Sequence, residues 1–129
     1  MQTGPYPAFP TDVQAPFGVL ATQASGTSLI HDIMFEGRLG YINELIKMGA
    51  NATICDPHRV LISGPTPLYG TEIRSLDLRA GATLVIAGLV AEGETMIRDA
   101  EILDRGYYQL KERLTLLGAE MMYQEINPA

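Results

Sequence analysis

Two acids and three arginines fall where charge could act on a substrate. Asp12 and Asp77 each precede a mostly apolar run of helical length, Gln14 stands two residues after the first and Arg79 two after the second. Arg38 and Arg105 each lie twelve residues beyond a glycine, Gly26 and Gly93, that closes such a run. The first turn of a helix carries unpaired backbone N–H groups and the positive end of the helix dipole, so it favours an anion. A guanidinium adds a planar fork of donors suited to a carboxylate or phosphate. Arginines gathered at helix N-termini would bind an anion, and a carboxylate among them could act as a base. Which reaction this serves does not follow from the residues alone.

The elements that must position these groups centre on Leu76–Gly93. Ala80–Ala91 is apolar all round, which predicts a central helix covered on every side and too short to span a bilayer. Upstream, Thr11 with Gln14 has the spacing of a capping box and opens a helix to about Ser25, with Pro16 in its first turn and Gly26 closing it. Thr27–Phe35 reads as a strand, followed by a loop at Glu36-Gly37-Arg38. Leu39, Ile42, Leu45 and Ile46 recur at helical spacing, with Gly49 as the stop. Ala52–Cys55 and Arg59–Ile62 read as strands joined through Asp56-Pro57-His58. Beyond the break at Gly64–Pro67 come a strand near Glu72–Ser75 and, after the apolar helix, another at Thr95–Ala100. Asp104-Arg105-Gly106 reads as a loop, Tyr107, Leu110, Leu114 and Leu117 as an amphipathic helix ending at Gly118, and Glu120–Ile126 as a last strand.

Laid over one another, the two halves match. Asp12-Val13-Gln14-Ala15 faces Asp77-Leu78-Arg79-Ala80, Ser25-Gly26-Thr27 faces Glu92-Gly93-Glu94, and Met48-Gly49-Ala50 faces Leu117-Gly118-Ala119. One supersecondary unit copied and stacked gives this pattern, with residues 1–66 as the first repeat and 67–129 as the second. The acids and arginines then recur at the same two places in each copy.

Composition narrows the class. A formal charge of −6 argues against a nucleic-acid footprint, which needs a basic face. Cys55 is the single cysteine, so there is neither a disulfide framework nor a cysteine metal site. His31 and His58 read as strand or turn residues, and no metal spacing joins them. No signal peptide is visible at MQTGPYPAFP, and the expected setting is cytoplasmic, with no membrane and no cofactor.

Thr3–Gln14, TGPYPAFPTDVQ, closely resembles the C-terminal part of the UDP-N-acetylglucosamine enolpyruvyl transferases. The likeness continues through Ile33–Arg38, Glu44–Ala50, Leu76–Ala80, Ala91–Gly93 and Leu103–Tyr107, covering nearly the whole chain. Such enzymes move the enolpyruvyl group of phosphoenolpyruvate to the 3-hydroxyl of UDP-N-acetylglucosamine, the committed step of bacterial peptidoglycan synthesis. The resemblance implies an α/β (α+β) fold of the EPSP synthase-like kind, an inside-out α/β barrel of βαβαββ-like repeats with buried central helices. It implies that Asp12 contacts the sugar 3-hydroxyl and takes its proton, and that Met34 contacts the UDP-sugar through its backbone. Arg38, Arg79 and Arg105 fall on arginines that line the phosphoenolpyruvate and phosphate site.

The family usually has Asn where this chain has Gly37, which removes a side chain between Glu36 and Arg38. Family members are longer, and their mobile cysteine loop and lysine lie upstream of the part matched here. Cys55, in an expected strand with no cation beside it, is not that cysteine. This chain therefore reads as two of the three repeats of one domain, without the third repeat and the N-terminal catalytic domain, and inactive alone. Asp12 also fits a first-turn carboxylate favoured by the dipole, and Asp77 a plain N-cap. Two rivals stand beside this reading: a 3-phosphoshikimate enolpyruvyl transferase, and a non-catalytic module that self-associates through the face a third repeat would cover.

Overall fold

The computed structural model describes residues 1–34, 39–74, 78–100, 103, 106–107 and 109–122, with Leu78 and Arg79 by backbone alone. A 3-10 turn at Thr11–Val13 runs directly into helix α1, Gln14–Gln23. Pro16 is the third residue of α1, early enough that its missing N–H breaks no helical bond. The expected capping box does not form, and neither Pro10 before the turn nor Val13 before the helix caps with its side chain. The reason is a long-range partner for Thr11 and Gln14, described below.

Strand β1, Gly26–His31, pairs antiparallel with β3, Arg59–Gly64, which in turn pairs antiparallel with β2, Asn51–Asp56. The β2–β3 turn is pinned by His58 N donating to Asp56 Oδ1 at 2.8 Å, the Asx turn that Asp-Pro-His supports. Strand β1 stops at His31, short of the expected Phe35, which lies with 36–38 outside the described residues. The start of the chain lies parallel to the end of β1: His31 N donates to Met1 O and Thr3 N to His31 O, each at 2.9 Å.

Helix α2, Tyr41–Lys47, crosses between the sheet and helix α3, Leu78–Val90. Gly49 ends α2 with a φ of 106°, a left-handed conformation in which its N–H reaches Ile46 O at 2.9 Å and Ala50 N reaches Leu45 O at 3.0 Å. Helix α4, Leu110–Leu116, ends in the same motif. Gly118 also has φ 106°, and Gly118 N and Ala119 N donate to Thr115 O and Leu114 O. Matched triplets in the sequence thus make matched caps. Strands β4, Glu72–Arg74, and β5, Met96–Arg98, form a separate parallel pair. Asp99, with φ 59°, ends β5 before the expected Ala100.

One core joins these layers. Ile30, Val60 and Ile62 on the inner face of the sheet meet Ala15 and Val19 of α1, Ile42 and Leu45 of α2, and Leu84 and Ala87 of α3. Helix α3 departs from the expectation of burial on every side. Ala80, Thr83, Leu84, Val85 and Ala87 are buried, while Ile86, Leu89 and Val90 are exposed, because α1 and α2 cover only one flank. Leu116 and Leu117 of the amphipathic α4 segment are exposed as well. Glu120–Met122 take no strand conformation, and the remainder of that expected strand lies outside the described residues. No helix among the described residues is long and apolar enough to cross a membrane.

The two flanks of α3 should respond differently to truncation. Leu84→Ala, which empties a fully buried position, is expected to cost about 3 kcal/mol. Leu89→Ala on the uncovered flank should cost about 0.5 kcal/mol or less. Urea unfolding followed by circular dichroism checks both.

Candidate functional site

A single carboxylate organises the region around Asp12. Asp32 follows the last residue of β1 and is completely buried, at 0% exposure. Charge in such a place is costly unless donors surround it. Four do. Oδ1 accepts from Thr3 Oγ1 at 2.7 Å and from Met34 N at 3.0 Å. Oδ2 accepts from Thr11 Oγ1 at 2.7 Å and from Gln14 Nε2 at 3.0 Å. Its backbone is tied as well: Asp32 N donates to His58 O, and the ring Nδ1 of His58 lies 2.8 Å from Asp32 O.

A second layer supports the first. Tyr41, at the start of α2, donates its hydroxyl to Gln14 Oε1 at 2.5 Å. Its ring fits because residue 18 is glycine, where a Cβ would run into the Tyr41 hydroxyl and come within 2.9 Å of Cε2. Burial alone would push the Asp32 carboxyl up. The hydrogen bonds from Thr11, Gln14, Thr3 and the Met34 backbone outweigh it and hold Asp32 at about 2. Burial, with the Asp32 charge second, pushes the Tyr41 phenol well above its ordinary value, so it stays a donor.

Asp12 sits in the 3-10 turn between two residues bound to Asp32, with its side chain exposed. Thr11 on one side and Gln14 on the other are fixed, so the turn presenting Asp12 is fixed with them. Met34, also exposed, has its backbone N–H held by the same carboxylate. The structure thus ties the turn that carries Asp12 and the backbone of Met34 to one carboxylate. Arg79 lies in the first turn of α3 with its side chain outside the described atoms, and Arg38, Asp77 and Arg105 lie outside the described residues. Among the described residues no group of three His, Cys, Asp or Glu stands close enough to hold a metal.

Asp32 escaped the sequence reading. Its signal was present: an acid within a stretch rich in apolar and β-branched residues, where burial would demand partners. The Thr11–Gln14 spacing pointed instead to a local cap, which hid two of those partners.

Comparison with known proteins bears on this arrangement. Residues 1–114 match the model of the EPSP synthase (3-phosphoshikimate 1-carboxyvinyltransferase) family. The UDP-N-acetylglucosamine 1-carboxyvinyltransferase of Treponema denticola is 48% identical over 121 residues, covering 94% of this chain and 28% of that protein. That of Chlorobium phaeovibrioides is 50% identical over 121 residues, again 94% of this chain and 28% of the relative. The fold is similar to the crystal structure of the enolpyruvyl transferase NikO from Streptomyces tendae, with a TM-score of 0.85 and 34% identity over 93% of this chain and 28% of that one. The chain thus spans under a third of the length of these relatives.

The low position of Asp32 has a consequence for stability. Its folded value is depressed, so the unfolded chain takes up the proton first as pH falls, at about 3.9. The contribution is complete above that value and is lost as pH drops toward about 2. Roughly 2 kcal/mol is at stake. Urea midpoints at pH 7 and pH 3 should differ in the native chain, and Asp32→Asn should lower the first and shrink the difference.

Proposed function

The chain belongs to the EPSP synthase family, and from that membership we propose that it is the C-terminal portion of a UDP-N-acetylglucosamine 1-carboxyvinyltransferase. The enzyme would transfer the enolpyruvyl group of phosphoenolpyruvate to the sugar 3-hydroxyl and release phosphate. One observation carries the choice of acceptor: relatives of that name are 42–50% identical over about nine-tenths of this chain. The presentation of Asp12 and the Met34 backbone from one buried carboxylate supports it.

In this reading Asp12 takes the proton of the 3-hydroxyl as the oxygen attacks the enol carbon, and the Met34 backbone helps seat the UDP-sugar. Arg38, Arg79 and Arg105 offset the charge of phosphoenolpyruvate and of the departing phosphate, which needs positive partners throughout. The chain is read as two repeats, 1–66 and 67–129, which the matched caps at Gly49 and Gly118 support. It works in the cytoplasm, in peptidoglycan synthesis. The Asp12 carboxylate is the base, and the cysteine loop and lysine come from the part of the enzyme that this chain does not include.

A second reading rests on Ile86, Leu89 and Val90 of α3 and Leu20 of α1, which are apolar and exposed. Such a surface favours association. Self-association through it would give a concentration-dependent mass in sedimentation, and a well-folded monomer at micromolar concentration overturns that idea.

The transferase reading is tested by joining this chain to the remainder of the Treponema denticola relative in place of the matching segment. Phosphate release should depend on UDP-N-acetylglucosamine and not on shikimate 3-phosphate, and the chain alone should release none. Asp12→Asn in the joined protein should lower kcat by about a thousandfold. Turnover by the chain alone, or with shikimate 3-phosphate, overturns the assignment.

A further inference from the structure

We infer that Asp32 is a positioning residue for the acceptor half of the site, aligning the Asp12 turn and the Met34 backbone with one another through its two carboxylate oxygens. The inference rests on the roles proposed for Asp12 and Met34 and adds a residue that neither of those roles requires.

The two groups come from different parts of the fold. Asp12 belongs to the turn before α1, and Met34 to the segment after β1. The sheet register does not relate them, because β1 ends at His31, before Met34, and the turn bearing Asp12 belongs to no strand. Asp32 supplies the missing link. Oδ2 takes Thr11, which precedes Asp12 in the turn, and Gln14, which opens α1 two residues after it, while Oδ1 takes the Met34 N–H. A displacement of the carboxylate moves both substrate-facing elements relative to one another. Misplacement of about 1 Å at a reacting group can cost on the order of a hundredfold in rate.

The chemistry of the network also selects a carboxylate. Each oxygen receives two donors, and an ionised carboxylate is acceptor-only with room for about four. An amide at position 32 would turn an NH2 toward one of these pairs, so that either Thr11 and Gln14 or Thr3 and Met34 must rearrange. Thr3 adds a further anchor, since its hydroxyl donates to Asp32 Oδ1 and accepts from Ile33 N at 3.2 Å. The peptide ahead of Met34 is thereby held from both sides.

Positioning and stability make different kinetic predictions. In the joined protein described above, Asp32→Asn should raise KM for UDP-N-acetylglucosamine by about tenfold and lower kcat by about tenfold, with KM for phosphoenolpyruvate within about twofold of the parent. Thr11→Val, which removes one donor beside Asp12 and leaves the carboxylate its other three, should lower kcat by about threefold to tenfold with little change in either KM. Both are measured well below the unfolding midpoint, with circular dichroism confirming the fold. Equal loss for both substrates, or parameters within twofold of the parent for both variants, overturns the inference. Asp12→Asn serves as the separate control. If it retains turnover, the base assignment fails; if it is inactive while Asp32→Asn and Thr11→Val match the parent, the positioning role fails and the base assignment stands. Should Asp32→Asn not fold, Thr11→Val decides.

Discussion

The hydrogen-bonded carboxylate of Asp32 is the constraint on which the rest of the N-terminal half depends. A buried unpaired charge of this kind would be costly by several kcal/mol. Four donors at 2.7–3.0 Å reverse the balance, and the low position of the group records that the bonds prevail over burial. Those donors come from the chain start, the turn before α1, α1 itself and the segment after β1. The chain start also pairs with the end of β1, and α1 packs into the core, while the turn has no side-chain cap.

The apolar core below answers a different question. Ile30, Val60 and Ile62 bring the sheet against α1 and α2, and α3 closes the other side with Leu84 and Ala87. That packing fixes where α1 lies, and so where its first turn emerges. It does not fix how the turn faces Met34. Non-directional burial sets the layers, and directional bonds to one carboxylate set the register of the exposed groups upon them.

Periodicity and punctuation made most of the fold legible. Helix α2 with its Gly49 stop, the β2–β3 hairpin through Asp56-Pro57-His58 and the apolar α3 each follow from residues within a few positions of one another. The failures share a cause. Thr11 and Gln14 look like a local cap because their spacing is local, yet their partner Asp32 lies eighteen or more residues away. The all-round apolar character of α3 implied complete cover, yet cover depends on what else packs there, and in this chain one flank stays open. Asp12 and Met34 were singled out through resemblance to a family motif; Asp32 was not, because its partners are set by the fold rather than by any local spacing.

The direction of the network follows from its two ends. Tyr41 does not ionise readily, because it is buried and stands near the Asp32 charge, so its hydroxyl remains a donor; Asp32 does not readily take up a proton, so its oxygens remain acceptors. Gln14 stands between them and can satisfy both in one orientation only, Oε1 toward the phenol and Nε2 toward the carboxylate. The amide orientation is therefore dictated by its neighbours rather than chosen freely. Gly18 enters the same argument from the packing side, since any side chain there would displace the phenol and free the amide to turn. A residue with no functional group thus helps decide which way a buried amide faces, and through it how firmly the turn bearing Asp12 is held.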